Sequence, residues 1–307
     1  MRIISADFNA RTESGHLRLN SRGAQEDLRD QGVQVGDWMW LSDGELVIGA
    51  QLAFDDRYGI VGVPRWNTLV HLDDELGDFQ SVRKQFFELL QYPHPDMAYV
   101  SRLFQLSTIL EIMEPPSEKG QSSESYATRR VGALLLIDEP ELALVDINEA
   151  LAAQPGEPGV IYTYLETLKL VDLDRAASEA ADRAQREDTP ALVLAACINV
   201  ESKAADRLSN EDFGAAGLRI LSWINRFEGA FDPKSMPAPI RAQVLFNLGL
   251  TLLRLGRVEQ ARHALGLAHA IDPSEPAIDE ALGLDSFNDR ARDIAARLRE
   301  KPPLIAA

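Results

Sequence analysis

Ala242–Ser274 reads AQVLFNLGLTLLRLGRVEQARHALGLAHAIDPS, and this stretch decides the fold of the C-terminal half. Leu245, Leu248, Gly249 and Leu252 recur at helical spacing and mark one face of a first helix. Gly256 opens a turn, Ala261, Leu265 and Ala268 mark a second helix, and Pro273 stops it. The glycine and the alanines fall where two helix axes must come close, because a larger side chain would push the pair apart.

Fainter copies lie upstream. Ala143, Ile147, Ala150 and Pro155 repeat the second-helix spacing, and so do Ala177, Ala181 and Ala184, with Pro190 one residue late. Ala143 and Ala177 are 34 residues apart, as are Ala150 and Ala184. Between Pro190 and Ala238, ALVLAACINVESKAADRL and DFGAAGLRILSWINRF read as a degenerate helix pair. After Pro273, PAIDEALGL and SFNDRARDIAARLRE read as helices that cover the end of a stack.

Residues 242–275 resemble a tetratricopeptide repeat, and the resemblance extends more faintly over residues 124–300. It implies a helical solenoid that grips other proteins and seldom carries chemistry. It also implies an inner groove built mainly from the first helix of each pair. That places Gln243, Phe246, Leu250, Leu253 and Arg254 towards the groove. Chaperone-binding members of the family hold a C-terminal carboxylate there with Lys and Asn. The matching positions carry Phe246 and Leu250 here, which puts such a clamp in doubt and suggests a more apolar contact. The competing reading has Phe246 and Leu250 packed against a neighbouring helix.

Residues 1–75 have a different texture. RIISADFN, HLRL, DWMWL, ELVIGAQLAF and YGIVGVPRW read as short strands, with a helix over SRGAQEDLRDQG. Gly44 and Gly59 supply the positive φ of tight turns, with Asp43 and Asp55 as turn caps. The tract from Gly36 to Pro64 resembles an SH3-like small barrel in its strand rhythm. Two helical segments follow as a connector over 76–114. FQSVRKQFFELLQY carries Phe79, Val82, Phe86, Leu89 and Leu90 and is stopped by Pro93 and Pro95; MAYVSRLFQLSTILEIME follows it. PPSEKGQSSE, from Pro115 to Glu124, reads as a linker.

The barrel is rich in aromatics. Trp38 and Trp40 alternate with Met39 and so share a strand face. Trp38, Trp40, Tyr58 and Trp66, with Arg65 stacked on a neighbouring ring, form either an aromatic surface for a peptide or sugar or the barrel's own core. Trp66 is the ring expected to be exposed.

Composition bounds the remaining readings. The chain of 307 residues carries a formal charge of −17, with 31 Lys+Arg against 48 Asp+Glu. That opposes nucleic-acid binding, which needs clustered cations. Residues 1–75 alone hold 7 Lys+Arg against 13 Asp+Glu, so a nucleic-acid role would require Arg18, Arg22 and Arg29 to gather on one side. No signal peptide or membrane-spanning run is visible, and the lone Cys197 lies in an apolar run; the expectation is a cytoplasmic protein.

LLLIDEPE at 134–141 looks like the Walker B segment of ABC-type ATPases, but no GxxxxGK[ST] accompanies it. It reads instead as a helix, a turn at Asp138-Glu139-Pro140 and a second helix. His16, His71, His94, His263 and His269 show no metal-ligand spacing, and no nucleophile motif occurs. The expectation is therefore α+β: an N-terminal small antiparallel β-barrel (1–75), the connector (76–114) and an all-α repeat array (124–300). The expected role is a non-enzymatic adaptor for another protein or peptide, without cofactor or metal, with homo-oligomerisation open. The alternatives are an enzyme or ligand-binding protein with its site at the barrel aromatics or the barrel–helix junction, and a nucleic-acid-associated barrel.

Overall fold

The computed structural model describes residues 2–72, 78–91, 96–113, 123–232, 236–273, 278 and 281. Pro93, His94, Pro95, the linker at 115–122 and nearly all of the expected terminal helices lie outside the described residues. The fold is α+β, a curled sheet followed by helices, and the chain divides into two compact units, Met1–Pro155 and Gly156–Ala307. This division differs from the one expected, because the helices formed by 123–153 belong to the first unit and not with the later ones.

The first unit opens with β1 (Ile3–Ser5), β2 (Leu17–Arg18), α1 (Arg22–Asp30), β3 (Trp38–Ser42), β4 (Leu46–Asp55), β5 (Gly59–Pro64) and β6 (Val70–His71). The turns are made by the residues read from sequence. Asp43 Oδ1 accepts from the Glu45 and Leu46 amides, Asp55 Oδ1 accepts from those of Arg57 and Tyr58, and Gly44 and Gly59 have φ of 97° and 74°. Strand order is β1-β3-β4-β5-β2, with β6 on β4.

Two features depart from a small antiparallel barrel. β1 runs parallel to β3, with Ile3 opposite Trp40, and the end strands β1 and β2 do not pair with each other. The sheet is a half-barrel. Its concave side is filled by α1, whose Ala24 and Leu28 join Ile4, Leu17, Leu41 and Leu52 in one core. Ser21 caps α1 by accepting from the Ala24 amide.

Alternation sends Trp40 and Gly49, which lie opposite each other, to the convex side. The remaining helices of this unit are α2 (Phe79–Gln91), α3 (Met97–Met113), α4 (Ser123–Leu136) and α5 (Pro140–Ala153), and the sheet meets them through β3 against α5 and β6 against α3. A Cβ on Gly49 would collide with Leu142 of α5, which explains a glycine in the middle of a strand. Asp138, at φ 62°, makes the turn between α4 and α5, so LLLIDEPE is helix, turn and helix.

Trp40 is fully buried and donates its indole N–H to Asp146 Oδ1 at 2.9 Å. Arg130 Nε donates to Asp146 Oδ2 and Arg130 Nη1 to Glu111 Oε2, each at 2.6 Å. Burial pushes the Asp146 carboxyl above its ordinary value against the pull of Arg130. Burial is the largest single effect on Glu111 and pushes it up, but the charge and hydrogen bond of Arg130, added to other positive charge nearby, together hold Glu111 at about 2. This network joins α3, α4, α5 and the sheet. A buried ion pair adds little net stability while intact, but losing one partner costs about 3–5 kcal/mol.

The second unit contains α6 (Pro158–Val171), α7 (Leu173–Ala184), α8 (Ala191–Ala205), α9 (Asn210–Ala230), α10 (Ala238–Arg254) and α11 (Val258–Ile271). Each helix packs on the next, and the alternate helices α6, α8 and α10 also pack in series. The decisive stretch forms α10 and α11 as read, with Gly256 at φ 74° in the turn and Ala261, Leu265 and Ala268 fully buried. A Cβ on Gly249 would stand 2.5 Å from Leu265 Cγ, so the two helices are in contact across a bare backbone.

The fainter copy is out of register. In α7 the fully buried alanines are Ala176, Ala180 and Ala184, while Ala177 and Ala181 are only half-buried. Adjacent alanines are chemically identical, so sequence spacing alone cannot choose between two overlapping faces.

Candidate functional site

The second unit carries a groove of about 260 Å³. Its sides are stripes on two helices. α8 contributes Asn199, Ser202 and Lys203, with Asp206 at its C-cap, and α10 contributes Gln243, Phe246, Asn247, Leu250, Thr251 and Arg254. Spacings of three and four put each stripe on one helix face. Lys169 of α6 and Phe213 and Ile220 of α9 complete the lining.

Four of the five residues expected in a groove therefore line one: Gln243, Phe246, Leu250 and Arg254. Leu253 does not. It is buried in the core with Leu252, Ala261 and Leu265, because its position on α10 faces α11. Phe246 and Leu250 do both things considered for them, since they line the groove and also pack on that core. Arg254 is largely occupied. Its Nη1 and Nη2 donate to the Ala205 and Leu208 carbonyls at 2.8 and 3.1 Å, and its guanidinium lies 3.7 Å from the Phe213 ring centroid. It reaches the carbonyl of the last residue of α8 and one three residues beyond it, and so ties α10 to the end of that helix. Burial pulls its pKa down, opposed by Asp206.

A polar chain crosses α6, α8 and α10. Lys169 Nζ donates to Glu166 Oε2 at 2.6 Å, Asn199 Nδ2 to Glu166 Oε1 at 3.2 Å, and Asn247 Nδ2 to Asn199 Oδ1 at 2.6 Å. A carboxylate only accepts, so Glu166 sets the direction of both amides and leaves Asn247 Oδ1 as an acceptor for the groove. Ser202 Oγ is buried and has no hydrogen-bond partner in the structure. Sequence reasoning missed Asn199, Asn247, Ser202 and Lys203. The available signal was an asparagine inside each of two apolar runs, AACINV and LFNLGL.

The aromatic residues of the first unit do not form one surface. Trp40 is interior, so it leaves the expected surface set: its strand face at that point lies under α3 and α5, where it meets the Phe104 ring at 6.0 Å and Asp146. Arg65 lies 4.8 Å over Trp38 and pairs with Glu139 at 3.6 Å. Tyr58 lies under Arg18 and Arg57, both at 5.2 Å. Trp66 is 48 % exposed, as expected of it, with Arg11 at 4.9 Å. Arg18 and Arg22 are committed to different partners, Tyr58 and Glu26. Among the described residues no group of three His, Cys, Asp or Glu side chains could hold a metal ion. No helix among them is long and apolar enough to cross a membrane.

The sequence matches no known family model and no curated protein.

Proposed function

We propose that this protein is a non-enzymatic interaction adaptor whose second unit is a tetratricopeptide-like array holding a peptide or helix of another protein. The array comprises the pairs α6–α7, α8–α9 and α10–α11. The serial packing of α6, α8 and α10 supports it, as does the close glycine contact between α10 and α11. The observation that carries the role is the groove, which sets apolar Phe213, Ile220, Phe246 and Leu250 beside hydrogen-bonding groups of Asn247, Gln243 and Lys203. Apolar walls supply affinity at roughly 2 kcal/mol per buried leucine-sized side chain, and a few placed polar groups fix orientation.

The test is affinity capture on the full chain, run beside Leu250→Asp and Gln243→Trp. Leu250→Asp places a charge on the apolar wall. Gln243 is exposed, so Gln243→Trp obstructs the groove without entering a core. A protein retained by the wild type and lost by both variants, with helical circular dichroism and melting unchanged for Gln243→Trp, is the expected result. Retention by Gln243→Trp at wild-type level refutes the groove as the binding site.

A further inference from the structure

We draw no further inference here: the strongest candidate, the arginine–aromatic stacks at the surface of the sheet in the first unit (Arg65 on Trp38, Arg18 and Arg57 on Tyr58, Arg11 on Trp66), carries nothing, because Glu139 and Glu13 pair with Arg65 and Arg57 and nothing in the structure shows what covers the exposed Trp66.

Discussion

Replacing Gly249 by alanine tests how closely α10 and α11 approach. A Cβ built there stands 2.5 Å from Leu265 Cγ, 2.7 Å from Leu265 Cδ2 and 3.4 Å from the Ala261 carbonyl oxygen. Ordinary carbon contacts lie at about 3.5–4.0 Å, so Leu265 or the helix axis must move by about 1 Å. Leu265 is fully buried, so it can move only by displacing its neighbours in the core. Overpacking of this kind costs roughly 1–3 kcal/mol. Against it stands the helix-propensity gain of Gly→Ala, about 1 kcal/mol.

Gly266, on α11 of the same pair, isolates the two terms. It is exposed, and a Cβ there meets nothing within 4 Å. Gly266→Ala should therefore keep the propensity gain alone and stabilise by about 0.5–1 kcal/mol. The two variants should differ by about 1–3 kcal/mol. For a unit of this size each kcal/mol shifts Tm by about 2–4 °C. Thermal unfolding of the full chain by circular dichroism and calorimetry measures the difference. Equal shifts for the two alanines would refute the close contact and remove the main support for a repeat pair at 242–275.

Two further outcomes follow from buried groups. Arg130 and other positive charge nearby hold Glu111 at about 2 despite its burial, below the ordinary 4.5, so Glu111 contributes stability above pH 4.5 that is lost as pH falls towards 2. Glu111→Gln should therefore destabilise most near neutral pH, with the gap to wild type closing on acidification in urea melts; a gap independent of pH refutes the pairing. Cys197 is buried and its thiol is pushed up to about 12 by burial, so a thiol reagent at pH 8 should label it only after denaturation; prompt labelling of the native protein would show that α8 is open there.

Local chemistry was legible wherever one residue type had one job. Asp43-Gly44 and Asp55 with Gly59 specified turns by side-chain acceptors and positive φ, and the Gly249, Ala261, Leu265 and Ala268 pattern specified a helix pair through side-chain size. The α+β class followed from the same periodicities, and the repeat resemblance implied most of one groove stripe, from Gln243 to Arg254. Tertiary structure decided what periodicity cannot express. It buried Trp40 completely against α3 and α5 and left Trp38, on the same strand face, half-buried under Arg65. It chose Ala176 and Ala180 over Ala177 and Ala181, and it placed α4 and α5 with the sheet. It brought Glu166, Asn199 and Asn247 together from three helices. Periodicity states which face of an element is buried, whereas the partner on that face depends on contacts between residues far apart in the chain, and those exist only once the helices have packed.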